Sequence, residues 1–134
     1  MSLQFSVLAR NALCDSLETY AGTTAVLKIY DLTAAAPGSC EASITATVLA
    51  SITCPADWMN AASGGSITKL GTWSDSSADA AGTADFFRFF RYDGGTCWAQ
   101  GSVGVGLDMT LDNYVIAAGQ TVTISTFTIT AGNP

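Results

Sequence analysis

Hydrophobic and polar residues change rhythm once along this chain, near residue 22. Before that point the spacing is helical. Leu8, Ala12, Leu13, Leu17 and Tyr20 recur every three or four positions, and Asn11, Asp15 and Glu18 fall largely elsewhere. Ser6 is suited to cap the start, and Gly22 sits where a left-handed C-terminal cap belongs, so a helix over about 6–21 is predicted. Its one apolar stripe is expected to dock on the chain's own sheet, with a clamp onto a neighbouring subunit as the alternative.

Beyond residue 22 the period is two. Residues 24–31 place Ala25, Leu27 and Ile29 on one face and Lys28 and Tyr30 on the other. Residues 43–53 alternate in the same way, with Ile44, Ala46, Val48, Ala50 and Ile52 on one face, interrupted only by Leu49. Pro37-Gly38 marks a turn between these strands, and Pro55 opens a break over 54–65. One or two short strands are expected around Gly71 and an aromatic strand over 83–92. A turn at Asp93-Gly94-Gly95 and a returning strand over 96–105 follow. Residues 106–113 read as a loop with a short strand, and 120–130 as the last strand. There Val122 and Ile124 share one parity and Phe127 and Ile129 the other, so one face can take both pairs only through a β-bulge near Ser125-Thr126. The predicted fold is mainly β: an antiparallel, jelly-roll-like β-sandwich over about 24–130 with one N-terminal α-helix, in a single domain spanning 1–134.

Composition adds a question to this fold. The chain is 49% apolar and only 12% charged, against about a quarter charged for an ordinary soluble domain. A β-rich chain so poor in charge is weakly protected against sticking to its neighbours, which points to a surface made to be covered. The net charge is −6, and the five cations, Arg10, Lys28, Lys69, Arg88 and Arg91, form no stripe, so no nucleic-acid partner is expected. No run approaches the roughly 18 apolar residues of a membrane helix, and the first residues lack the cationic region of a signal peptide. Assembly in a cytoplasm is the expectation, with Cys14, Cys40, Cys54 and Cys97 as free thiols.

Candidate chemistry is thin. With no histidine, Ser-His-Asp and Cys-His arrangements are excluded, and the cysteine spacing offers no zinc site. Asp108, Asp112 and Asn113, like Asp75, Asp79 and Asp85, read as turn residues bonding nearby amides. Gly101, Gly104 and Gly106 do not follow the dinucleotide fingerprint and read as a strand end with close backbone approach. No catalytic residue, metal or cofactor is expected. In the aromatic strand, Phe87, Phe89 and Arg91 face one way and Phe86, Arg88, Phe90 and Tyr92 the other. Either both faces are buried, or one lies against another subunit, or the aromatics stack on a sugar or base.

Several motifs are shared with a known group. They are Pro55-Ala56-Asp57-Trp58-Met59 leading into Ala61-Ala62-Ser63-Gly64-Gly65, then Gly71-Thr72-Trp73, Ala81-Gly82-Thr83-Ala84, and Tyr92-Asp93 before two glycines. Gln100-Gly101-Ser102-Val103-Gly104, Leu111-Asp112-Asn113, Ala117-Ala118-Gly119-Gln120 and Phe127-Thr128-Ile129-Thr130-Ala131-Gly132-Asn133 continue the series. Over nearly its full length the chain resembles small structural proteins of tailed bacteriophages and prophages. The resemblance implies a virion protein, and small jelly-roll proteins that cement the capsid offer the closest role. Such a protein binds between major capsid protein subunits, often as a dimer or trimer. A tail, neck or fibre-attachment subunit is the alternative within the virion. A sugar-binding jelly roll using Trp58, Trp73 or Trp98 is the alternative outside it. The expected contact residues are Leu3 and Phe5 in the N-terminal segment, Trp58 and Met59, and Phe86, Phe90 and Tyr92.

Overall fold

The computed structural model describes residues 1–133. A single helix, α1 (Val7–Ala21), precedes nine strands. These are β1 (Val26–Asp31), β2 (Val48–Thr53), β3 (Ser66–Thr68), β4 (Ser74–Asp75), β5 (Gly82–Phe90), β6 (Cys97–Ser102), β7 (Met109–Leu111), β8 (Val115–Ile116) and β9 (Val122–Thr130). They form two antiparallel sheets. One runs β2-β1-β5-β6, with β8 on the start of β5; the other runs β3-β9-β4, with β7 also on β9. The fold is mainly β, with one N-terminal helix, as the hydrophobic periods predict.

Period-two alternation supplies the core. Leu27, Ile29, Ile52, Phe87 and Phe89 come from the first sheet, and Ile67, Met109, Val122, Ile124 and Phe127 from the second; all are buried. Two tryptophans from irregular segments complete it. Trp58 and Trp73 are both fully buried, and their indole N–H groups donate to the carbonyls of Gly22 at 3.2 Å and Leu70 at 3.0 Å. Phe89 lies among them, 5.6 Å from Trp58, 5.7 Å from Trp73 and 5.1 Å from Phe127 between ring centroids.

The bulge demanded by β9 is present. Thr110 pairs with Thr126 but Leu111 pairs with Ile124, so Ser125 is the extra residue. That one-residue slip lets Val122, Ile124 and Phe127 all point inward. A second slip opposite β1 explains Leu49. Ile29 pairs with Ala50 and Tyr30 with Val48, and both Leu49 and Ala50 are fully buried.

Two elements differ from the sequence reading. β2 begins at Val48, not near residue 43, and β8 is not announced by any run of apolar alternation. The first difference has a local cause. The amide of Thr47 donates to Asp31 Oδ1 at 3.1 Å and to Thr33 Oγ1 at 3.2 Å, which turns the chain off the sheet. The segment before it crosses the outer face of the first sheet instead. There Arg88 Nη2 donates to Ser39 O at 2.8 Å and Gln100 Nε2 to Pro37 O at 2.6 Å.

Candidate assembly interface

The helix meets the sandwich with a mixed face, Cys14 and Ala21 buried beside polar side chains that bond the neighbouring backbone. Arg10 Nε donates to Ala131 O at 2.9 Å, and Asn11 Oδ1 accepts from the Gly65 amide at 2.7 Å. Asp15 Oδ1 accepts from the Ala62 amide at 2.9 Å, and the buried Cys14 thiol donates to Gly65 O. The ends are fixed locally: Ser6 Oγ accepts from the Ala9 amide at 3.1 Å, and Gly22 turns the chain at φ +83°. A side chain at Gly22 would strike Tyr92, its Cβ lying 2.9 Å from Tyr92 Cδ1.

The expected docking of the apolar stripe is therefore reversed. Leu8, Leu13 and Tyr20 point to solvent at 80%, 49% and 48% exposure, and Leu17 is half-buried. The reason is energetic economy at the contact. The helix rests over Gly65 and the C-terminal end of β9, where the neighbouring backbone needs hydrogen-bond partners, and Arg10, Asn11 and Asp15 supply them. The outer face then holds Leu8, Ala9, Ala12, Leu13, Ser16, Thr19 and Tyr20, with no charge among them. Phe5 folds onto it beside a shallow hollow lined with Ala9, Ala12, Leu13 and Ser16. Residues 1–6 form an exposed arm, held by one bond from the Phe5 amide to Asn133 Oδ1 at 2.9 Å.

The expected contact residues thus divide. Leu3 and Phe5 lie on the arm at 67% and 38% exposure, and Tyr92 is 60% exposed. Trp58 and Met59 are corrected: both are core, and neither presents surface to a partner. Phe86 is corrected too. Its ring stacks on Tyr30 at 4.8 Å and is buried beneath the chain's own covering segment. Phe90 is half-buried, with the Lys28 ammonium 5.3 Å above its ring. The aromatic strand therefore has two covered faces, the inner one against the second sheet and the outer one against its own chain. The residues that sequence reasoning left off this list are Leu8 and Leu13, because a helical apolar stripe usually marks the docked side.

The remaining candidates have structural work. All five cations are engaged within the chain: Arg10 and Arg88 on carbonyls, Lys28 over Phe90, Lys69 over Trp73, and Arg91 over Tyr20 at 4.5 Å. Asp112 Oδ1 accepts from the amides of Asn113 and Thr123, Asp75 from Ser51 and Ser77, and Asp108 from Ser102. Gly101 marks a close approach, since a Cβ there would lie 2.8 Å from both Asp108 Oδ2 and the Phe87 ring. Among the described residues no group of three or more His, Cys, Asp or Glu side chains is placed to hold a metal ion. The four cysteines are free thiols. Burial pushes the Cys54 thiol up to about 12, and burial together with the neighbouring Cys40 thiol does the same for Cys97.

Comparison of the chain with protein-family models, curated proteins and solved structures returns no match. Function is therefore argued from the surface itself.

Proposed function

We propose that this chain is a structural subunit of a tailed-phage virion, most specifically a decoration or cement protein that bridges major capsid protein subunits. The observation that carries the reading is the outward apolar surface of the arm and α1, with Leu3, Leu8 and Leu13 in solvent while the helix is anchored by polar bonds. Half or nearly half of each of those residues is left in water, with Leu3 and Leu8 the most exposed. Full burial of each against a partner is worth roughly 1.5–3 kcal/mol. The sequence resemblance supplies the virion context, and the 12% charge suits a surface that ends up covered.

The mechanism is linkage. A subunit that binds the assembled shell and not the separated shell proteins lowers the free energy of the shell alone. Contacts of about 1,000 Å² or more, repeated over the shell, resist the outward pressure of packed DNA.

The test is a double substitution, Leu8→Asp with Leu13→Asp, on the exposed face. Circular dichroism is expected to match the parent, and binding to shells lacking the protein is expected to be lost, because two carboxylates cannot be desolvated in an apolar contact. Particles without the protein are expected to form but to release DNA at lower temperature. Normal decoration by the double variant contradicts the assigned face. Loss of tail joining with DNA retained contradicts the cement role and favours a neck or tail position.

A further inference from the structure

A second surface lies on the far side of α1 from its outward face. β6 is the outer strand of its sheet and pairs with β5 alone among the described strands. Asp108 caps the Ser102 amide at one end of its outer edge, and beside the uncapped remainder runs an open groove of about 330 Å³ between β6 and β9, lined by Leu17, Phe87, Trp98, Phe127 and Ile129. Trp98 Nε1 is shut off from solvent there and has no hydrogen-bond partner. A free strand edge over an apolar groove is a template for an added strand.

The chain carries a segment of matching pattern. In the arm, Met1, Leu3 and Phe5 alternate with Ser2, Gln4 and Ser6, which is a strand period with one apolar face. Met1 and Leu3 are exposed and no strand pairs with the arm. The five residues span about 17 Å when extended, the length of an ordinary strand. The arm carries no charged side chain and the groove lining only one, Asp108, so two copies of this acidic chain meet there with little repulsion.

We infer that the arm of one copy adds as a strand to the free edge of β6 in a second copy, seating Leu3 in the groove beside Trp98. The competing occupant is the chain's own arm, anchored at Asn133 three residues past Thr130 on the groove wall. The Phe5 amide is tied to Asn133, leaving four residues, roughly 13 Å of extended chain. Leu17 at the groove is ten positions along the helix from its first residue, about 15 Å away, and the arm must double back to reach it. A second copy approaches from outside without that reversal. Its added backbone pairs with the β6 edge. This self-association deepens the proposed assembly role: the arm joins copies to one another, while the outward face of α1 meets the shell.

The experiment uses the isolated full chain in sedimentation equilibrium, so its outcome does not depend on any capsid. Dimers or larger species are expected. Leu3→Asp is expected to weaken association about tenfold or more while leaving the monomer's thermal midpoint, read at concentrations too low for dimers, unchanged, since Leu3 touches no core. Thr128→Arg, which fills the groove from an exposed position, is expected to weaken it likewise. A photo-crosslinking leucine at position 3 is expected to join two chains, with the attachment mapped to β6 or β9. A chain that stays monomeric at high concentration overturns the inference, as do dimers indifferent to both substitutions. Cross-links confined to one chain overturn the second copy as occupant, and protection of Trp98 by oligosaccharide in a monomer assigns the groove to a sugar instead. Loss of capsid binding by the Leu8, Leu13 double variant with self-association intact would separate this interface from the shell contact.

Discussion

Asp31 shows how much a single buried polar residue decides in this fold. It is 6% exposed, and its Oδ1 accepts from the Thr33 hydroxyl at 2.5 Å and from the amides of Thr33 and Thr47 at 3.1 Å each. These bonds, the Thr33 hydroxyl first, hold its carboxyl below the usual range. A carboxylate whose pKa is lowered by folding stabilises the folded state above its unfolded value, near 3.9, and that contribution is lost as pH falls through this value toward the folded one. Stability measured by urea unfolding is expected to fall below about pH 4 more steeply in the parent than in Asp31→Asn. Asp31→Ala leaves the Thr33 amide and hydroxyl without their acceptor and is expected to cost about 1–3 kcal/mol at neutral pH. Trp58→Ala, which empties the centre of the core, is expected to cost about 3–5 kcal/mol in the same assay. The identity of Asp31 as a hub was not legible in the sequence, because its partners lie on both sides of a loop whose path no local pattern specifies. Trp58 was misread for a related reason: it stands in an irregular segment beside Pro55 and Asp57, where alternation gives no inward or outward face. Cys54 and Cys14, both buried, are expected to resist alkylation at pH 8 until the chain is denatured, with Cys54 further protected by a pKa near 12. Rapid native modification of either contradicts their placement.

At the scale of elements, the legible parts were those whose pattern is a period. The helix bounds, the Asp93-Gly94-Gly95 hairpin and the Ser125 bulge followed from spacing, turn chemistry and parity alone. What spacing cannot give is which side of an element is covered. In β5 the outer face, Phe86 and Arg88, is buried beneath the segment around Pro37 and Ser39, whose sequence marks only a turn between strands. In α1 the error runs the other way, since three polar side chains at the docked face outweigh the apolar stripe once the backbone they satisfy is known. The consequence is a contrast between two substitutions. Phe86→Asp buries an uncompensated carboxylate and is expected to unfold the chain or lower its thermal midpoint severely. Leu8→Asp lies on an exposed face and is expected to change stability by no more than about 0.5 kcal/mol. Equal effects on the melting curve contradict the assigned faces.

For the whole molecule, the relevant quantity is how little charge covers so much apolar surface. The five Lys and Arg side chains are all turned onto rings or carbonyls of the chain itself, and the arm and the outer side of α1 carry no charged side chain. An isolated domain gains nothing from keeping that region in water, whereas the proposed shell would cover it in every copy. Of the contact residues expected from sequence, Leu3, Phe5 and Tyr92 lie on the surface and Trp58, Met59 and Phe86 do not, because exposure is a property of the packed chain. The central claim is that the chain is a repeating subunit of a phage shell, and counting it tests that claim most directly. Quantitative mass spectrometry of purified virions is predicted to find copies in a fixed proportion to the major capsid protein, on the order of hundreds per particle. A copy number set by a single ring, or absence from the particle, contradicts the account.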